Sequence, residues 1–386
     1  MSNFVSLEYL DDYNINSLTE ALNNAMERLN LQTAFKSKMK LLIKVCLPEA
    51  VSQDLAETTN PAVVRAVVDY FSSKGITCII ADCPNKRFSD TYLDEVYIST
   101  GMLEMANLTK CDLNRDLSTA ELEMPEGIMT KSVNILDLVN QVDGIINIGK
   151  LKIDDSYGYL GVAHNVLGLI PAGVRSMVLN RMENLGELNN FIIDMLSALK
   201  DKIKLNIIDA VVAQEAGKTQ RMLNCLGVSE DIFSLDAAIC DVLEISYNDT
   251  ILKQAQTREL FKFEKPYKIV GDKIEKFKLA DFALTEFDNN TPIKTSKMYF
   301  KLHQQRPSID KNQCKGCKIC SQICPTNAIL MRCDKNGELY AEIDYKKCIY
   351  CHKCITACPY KKVGQVTPSG YKKLQKTLNK YNNRAE

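Results

Sequence analysis

The chain has 386 residues, 46% of them apolar and 25% charged, with 48 basic side chains against 48 acidic ones and no tryptophan. That length accommodates two or three domains and one substantial core, and the composition is that of an ordinary soluble protein. The first twenty residues carry Glu8, Asp11 and Asp12 without a basic cluster ahead of an apolar run, and no apolar run approaches the ~20 residues of a membrane span; neither secretion nor a membrane association is expected, and a cytoplasmic location is.

In chain order, residues 15–31 predict a packing helix, because Leu18, Leu22, Met26 and Leu29 fall near a 3.6 period. Lys40 to Leu47 reads as a buried strand. Asn60-Pro61 then supplies an N-cap and a proline at the first helical position, ahead of an apolar face of Val63, Val64, Val67, Val68 and Phe71 that ends at Gly75. Ile76 to Ala81 is the next strand. The unit is βαβ, and it leaves Asp82-Cys83-Pro84 at a strand end, where open α/β sheets bind ligands.

A helix near Asp90 to Gly101, a polar stretch from Asn114 to Gly127 and a helix around Ile135 to Gln141 follow. Gly144 to Ile148 is a strand that delivers Gly149-Lys150-Leu151-Lys152 to its exit. The glycine-rich segment from Tyr157 to Gly173 holds His164-Asn165 at its centre. Beyond it come a helix from Leu185 to Leu199, a strand from Leu205 to Asp209 and a strand-helix pair from Asp231 to Ile245. Such alternation argues for an α/β domain over residues 1–290, with a largely parallel sheet covered by helices. Lys265 to Phe287 reads as a β-containing annex, and Asp288 to Ile293 as a linker.

The C-terminal third changes character. Cys314, Cys317, Cys320 and Cys324-Pro325 form C-x-x-C-x-x-C-x-x-x-C-P, and Cys348, Cys351, Cys354 and Cys358-Pro359 repeat the pattern residue for residue. Zinc ribbons also use paired C-x-x-C motifs, but a tetrahedral zinc shell leaves the third and fourth cysteines of each run surplus. This is the bacterial run that holds two 4Fe-4S clusters, in which the fourth cysteine of each copy serves the other cluster. One cluster is thus expected on Cys314, Cys317, Cys320 and Cys358, the other on Cys348, Cys351, Cys354 and Cys324. Ala328 to Arg332 and Glu338 to Ile343 predict a hairpin closed at Asn336-Gly337, which makes residues 297–366 a small α+β unit of ferredoxin type. Cys333 stands outside both runs and reads as a spare thiol.

Residues 367–386 form a basic tail, in which Tyr371, Leu374, Leu378 and Tyr381 have approximate helical spacing. The neutral total hides an asymmetry: residues 295–386 carry a net +12 and residues 1–294 a net −12. The two parts are expected to dock electrostatically, or the basic part to meet an acidic redox partner. No nucleic-acid reader motif occurs, and a surface helix explains the tail more simply.

Lys44, Asp82, Lys150, Lys152, His164 and Asn165 all fall at strand exits or on the glycine-rich segment, so a parallel sheet gathers them into one crevice. Two lysines at spacing two suit an anionic small-molecule substrate, and His164 beside glycines suits an acid or base near neutral pH. Lys150, Lys152, His164 and Asn165 are therefore the candidate catalytic residues, against the alternative that they are solvated loop groups. Nothing in the chain resembles a nicotinamide, ATP or serine-hydrolase motif. Of the scattered cysteines, Cys83 is the candidate reactive thiol and the others read as buried apolar groups.

Several of these stretches carry a resemblance: Leu42-Ile43-Lys44, the run Thr59 to Val67, Ala81-Asp82-Cys83-Pro84, Asn147 to Lys152, His164 to Pro171, Ile208-Asp209-Ala210, and Asp236 with Asp241. In these the first 290 residues resemble the domain-of-unknown-function family 362, whose members are often fused to just such a ferredoxin unit. Departures accompany the matches. The family usually shows lysine-x-lysine-threonine-histidine where this chain has Lys150-Leu151-Lys152-Ile153-Asp154, lysine-asparagine where it has His164-Asn165, and a glutamate-glycine-x-glycine-proline turn where it has Glu215-Ala216-Gly217-Lys218-Thr219. The expected protein is an iron-sulfur electron carrier; the alternatives are a reductase of an anionic small molecule and an adaptor whose clusters only hold the tail together.

Overall fold

The computed structural model describes residues 3–279, 281–293, 306–349 and 351–366. Its larger unit contains β1 (Phe4–Tyr9), α1 (Ile15–Arg28), β2 (Lys40–Lys44), α2 (Pro61–Ser72), β3 (Thr77–Ala81), α3 (Asp90–Ser99), α4 (Met102–Thr109) and β4 (Asp112–Leu113). There follow β5 (Thr119–Glu123), β6 (Ser132–Leu136), β7 (Gly144–Asp154), β8 (Gly158–Leu160), α5 (Ala172–Leu179), α6 (Leu185–Leu199), β9 (Ile203–Gln214), β10 (Gln220–Ser229), α7 (Ile232–Val242), α8 (Ile251–Thr257) and β11 (Lys268–Gly271).

The main sheet runs β11-β1-β10-β9-β7-β2-β3-β4, with β8 paired to β7 off the path. Neighbours from β9 to β4 are parallel, as the alternation of strand and helix requires. β10 is antiparallel to both β9 and β1, and β1 pairs in parallel with β11. Side chains alternate across the sheet. Leu41, Ile43, Ile146 and Ile148 join the core beneath α1 to α4, while Leu42 and Ile145 join the core beneath α5 to α8. The start of α2 follows its sequence signal: the Asn60 Oδ1 accepts from the Ala62 amide, Pro61 takes the first helical position, and seven of the twelve residues are buried.

Several local expectations change. β7 does not stop at Ile148 but continues to Asp154, because β8 and β9 flank its far end, so Lys150 and Lys152 belong to the strand. Ile135 lies in β6, paired with β5, and only residues Asp137–Gln141 turn as a short 3₁₀ segment. The stretch before Ile245 is helix α7 alone, preceded by β10. Asp288 to Ile293 is not a free linker. The Asn289 and Thr291 carbonyls accept from the Gly186 and Leu185 amides at 2.7 and 3.0 Å, the Ile293 amide donates to the Glu183 carbonyl, and Ile293 is buried.

The smaller unit pairs β12 (Arg306–Ile309) with β15 (Val363–Val366) and β13 (Ile329–Cys333) with β14 (Leu339–Ile343), both antiparallel, and adds helices Ile319–Gln322 and Lys353–Ala357. Its hairpin closes through Asp334 to Glu338 rather than a two-residue turn: the Asp334 carboxylate accepts from the Asn336 and Glu338 amides, and Gly337 alone takes a positive φ, 82°. Cys333 is exposed at the end of β13. The basic tail lies outside the described residues. Among the described residues no helix is long and apolar enough to cross a membrane.

Candidate metal centre and neighbouring crevice

In the small unit the two cysteine runs fold around two separate cavities. One is lined by Cys314, Cys317, Cys320 and Cys358, the other by Cys324, Cys348, Cys351 and Cys354. Each thus gathers three cysteines of one run and the last of the other. The short helices Ile319–Gln322 and Lys353–Ala357 each follow a left-handed residue, Lys318 (φ 67°) and His352 (φ 61°), which swings the third cysteine back toward the first two. Backbone amides face the sulfurs: Ala341 donates to the Cys314 Sγ (3.4 Å), Ala328 to the Cys324 Sγ (3.2 Å) and Lys362 to the Cys358 Sγ (3.3 Å). Four thiols round one cradle, with amide donors to sulfur, are the donor set of a 4Fe-4S cube, so the residues fit that group.

The small unit rests on the α/β domain. The Lys131 amide and the Thr130 hydroxyl both donate to the Pro325 carbonyl, at 2.7 and 3.1 Å. Lys353 bonds to the Glu121 carboxylate and, at 3.2 Å, to the Ser132 hydroxyl. The Arg181 guanidinium donates to the Tyr345 carbonyl, and Met177 packs against the small unit's apolar core.

Met177 lies on α5, whose Arg175, Ser176 and Leu179 face a crevice of about 380 Å³ in the α/β domain. Lys150, Lys152, His164 and Asn165 all line that crevice, together with Cys46, Asp82 and Cys83, so the fold does bring the candidate residues together. They differ in how they are held. Lys150 is buried, with its Nζ 3.0 Å from the Asp209 Oδ2 and 2.9 Å from the Tyr13 hydroxyl; burial pushes its pKa below the ordinary lysine range while Asp209 pulls the other way. Asn165 accepts from the Lys44 Nζ at 3.0 Å and donates to Asn147 and the Ile148 carbonyl, so both ends of its amide are engaged in the wall. Lys44 in turn pairs with Asp82 at 3.0 Å, and Asp82 accepts from the Leu47 and Cys83 amides.

Lys152 and His164 remain open to the cavity chemically. The Lys152 Nζ is half-buried, 3.1 Å from the Glu57 carbonyl and 3.6 Å from the Cys46 Sγ. The His164 Nδ1 is buried without a hydrogen-bond partner among the described residues, and burial pushes the imidazole down to about 4, against a side-chain hydrogen bond with Asn189. The imidazole is therefore neutral near pH 7, not poised at it. Cys83 is buried and its thiol is pushed up, first by burial and then by Asp82, which removes it as a reactive thiolate.

Sequence reasoning missed Arg175 in this site. Its guanidinium is buried and donates to the Leu167, Cys83 and Pro84 carbonyls, clamping the β3 exit to the glycine-rich segment; no local pattern flags an arginine in the first turn of a helix for that task. Asp236 holds the other end of the segment, accepting from the Val162 and Ala163 amides and the Tyr159 hydroxyl, and burial pushes it up to about 6. A larger cavity of about 570 Å³, lined by Met124, Ile203, Phe233 and Leu260, contains none of the candidate residues.

A largely parallel α/β domain carrying a small unit with two four-cysteine cradles defines a ferredoxin-type iron-sulfur protein. A family model described as a domain of unknown function (DUF362) matches residues 41–241, and one described as a 4Fe-4S dicluster domain matches residues 313–362; the chain belongs to the DUF362 family and ends its described part in a 4Fe-4S ferredoxin domain. Among curated relatives it is 34% identical over 80 residues to NADH-quinone oxidoreductase subunit I 2 of Geobacter metallireducens, covering 19% of this chain and 61% of that protein. It is 42% identical over 50 residues to a component of the ion-translocating oxidoreductase complex of Methanosarcina acetivorans, covering 13% and 17%. An uncharacterised ferredoxin of Methanocaldococcus jannaschii is 35% identical over 51 residues, covering 13% and 65%. The matched stretch is thus less than two thirds of each of these relatives. Among solved structures, the lactate racemase apoprotein from Thermoanaerobacterium thermosaccharolyticum aligns with a TM-score of 0.39 at 14% identity, over 64% of this chain and 58% of that one. The 4Fe-4S dicluster domain at residues 313–362 and these relatives support iron-sulfur electron transfer in that part of the chain.

Proposed function

We propose that this protein carries single electrons through two 4Fe-4S clusters, to or from its own α/β domain or a redox partner, in the cytoplasm, where thiols stay reduced. The observation that carries the reading is the pair of cradles, each lined by three cysteines of one run and the fourth of the other. When bound, the clusters would supply one-electron chemistry. Cys314, Cys317, Cys320 and Cys358 would hold one, and Cys324, Cys348, Cys351 and Cys354 the other. The amides of Ala341, Lys362 and Ala328, which donate to the sulfurs, would stabilise charge on them and so contribute to the potential of a bound cluster. Iron and acid-labile sulfide analysis of anaerobically prepared protein tests this: eight of each per chain is expected, and zinc, or a single cube's worth of iron, overturns it.

A second reading adds an anionic small molecule, reduced in the crevice. It is favoured by the buried, unpartnered Nδ1 of His164 and the half-buried Lys152 ammonium in the cavity whose wall, α5, also contacts the small unit through Met177. In this reading Lys152 binds the anion and His164 orients it, while Lys150 and Asn165 position the wall. A thermal-shift screen of small carboxylates and phosphates checks it. At least one should raise the melting temperature of the native protein and lose that effect in Lys152→Ala; uniform silence removes the crevice from the function.

A further inference from the structure

The contacts between the two units are not shared evenly by the two cradles. Pro325, Tyr345 and Lys353, which touch the α/β domain, border Cys324, Cys348 and the Cys351 to Cys354 turn, all of the second cradle. The described segments around Cys314 to Cys320 and Cys358 make no hydrogen bond or ion pair to that domain. The polar contacts to the α/β domain thus leave the first cradle, with its exposed Cys317, aside, and its rim has a definite chemistry. Lys315, Lys318 and Lys362 line it with no acidic side chain among them, and neither Lys315 nor Lys318 has a carboxylate partner among the described residues. Beside them stand exposed apolar groups: Tyr360, half exposed, Ile319 on the short helix next to Cys320, and Leu339, packed against Gly316. An apolar centre with a charged rim is the anatomy of a protein interface, and a rim of one sign selects a partner of the other.

We infer that the face formed by Lys315, Lys318, Lys362, Ile319, Leu339 and Tyr360 is the docking site for a small acidic one-electron carrier protein, leaving the second cradle to serve the α/β domain. The inference rests on the electron-carrier reading and assigns the two cradles different neighbours. The carrier gives up or takes one electron at this face, and no bond is made or broken.

The test uses full-length, iron-loaded protein under anaerobic conditions and a purified acidic flavodoxin as the probe, with binding followed calorimetrically across a salt series. Wild type should bind, and more weakly as salt rises. The triple variant Lys315→Glu, Lys318→Glu, Lys362→Glu should weaken binding by about tenfold or more, whereas Lys347→Glu with Lys110→Glu, exposed lysines that do not line the first cradle, should change it less than about twofold. Absence of binding by wild type at low salt, or equal losses in both variants, overturns the inference. If the triple variant fails to hold iron, zero-length carbodiimide cross-linking of the native pair decides: cross-links at Lys315, Lys318 or Lys362 support the site, and cross-links confined to other lysines overturn it. Iron content separates the two levels. Eight irons without flavodoxin binding sinks this inference alone, while binding through these lysines by protein that never holds iron sinks the carrier reading.

Discussion

The Lys150 Nζ lies 3.0 Å from the Asp209 Oδ2, with both side chains almost wholly withdrawn from solvent and the Tyr13 hydroxyl donating to the other carboxylate oxygen at 2.8 Å. Removing one partner of such a pair strands a buried charge, which typically costs about 3–5 kcal/mol. Lys150→Ala should therefore unfold the α/β domain at markedly lower urea, whereas Lys150→Met with Asp209→Leu should recover much of the loss. A Lys150→Ala protein as stable as wild type in a circular-dichroism titration would show that the pair contributes little.

Two glycines of the 157–173 segment are there for space. A Cβ on Gly168 would lie 2.0 Å from the Asp82 Oδ1 and 2.6 Å from the Lys44 Nζ; one on Gly161 would lie 2.0 Å from the Asp236 Oδ1. Gly168→Ala must push the Lys44–Asp82 pair apart and should cost at least roughly 1–3 kcal/mol. Gly173, with nothing within 4 Å, is the internal control: Gly173→Ala should be neutral or slightly stabilising. Equal melting temperatures for the two variants would refute the close approach.

His164 and Asp236 should leave opposite marks on the pH dependence of stability. His164, lowered from 6.5 to about 4 by burial, contributes stability that is complete above pH 6.5 and lost as pH falls toward 4, about 3 kcal/mol in all. Asp236, raised from 3.8 to about 6, contributes stability present below 3.8 and lost as pH rises through 6. Between pH 4 and 6 the two slopes largely cancel. In His164→Gln only the second remains, so acidification from pH 6 to 4 should stabilise the variant relative to wild type. Parallel stability curves for the two proteins would contradict the assignment.

Crossed ligation makes a spectroscopic prediction. Cys358→Ala should perturb the centre held by Cys314, Cys317 and Cys320, and Cys324→Ala the one held by Cys348, Cys351 and Cys354. Pairing each with Cys317→Ala or Cys351→Ala gives the readout. Cys358→Ala and Cys317→Ala should change the same EPR signal of the reduced protein, and Cys324→Ala and Cys351→Ala the other. Changes confined to each run would mean that the ligands do not cross.

The +12 and −12 partition suggests strongly salt-dependent docking, but the contacts are of another kind. Among the described residues, one ion pair, Lys353 with Glu121, joins the units, beside hydrogen bonds to the Pro325, Tyr345 and Lys346 carbonyls and the Ser132 hydroxyl and the packing of Met177. An exposed pair is worth at most about 1 kcal/mol and is screened by salt. The radius of gyration should accordingly change little between low and high salt, while Arg181→Ala with Met177→Asp should expand the particle at either. Expansion of wild type with salt alone would return the docking to long-range charge.

The cysteine spacing, the Asn60-Pro61 helix start and the alternation of apolar runs were legible in the chain, because each depends on residues close in sequence: three thiols on one loop, a cap beside its helix, a strand beside its crossover. The gathering of Lys150, Lys152, His164 and Asn165 into one crevice was legible for a related reason, since they follow one another along β7 and the glycine-rich segment that returns beside it, although the lysines lie in the strand and not beyond its exit. Their division of labour was not. Lys150 became a strut because Asp209 stands opposite it across β7 and β9, and Asn165 because Asn147 of β7 and Lys44 of β2 both meet it. β1 and β10, neither of them an edge strand, carry no crossover signature and show only in their pairing. Arg175 acts through three carbonyls far from it in sequence or across a turn. Which cradle faces the α/β domain was likewise beyond the sequence: the two runs have the same cysteine spacing, and only the packing of Pro325, Tyr345 and Lys353 against the larger unit makes them unequal.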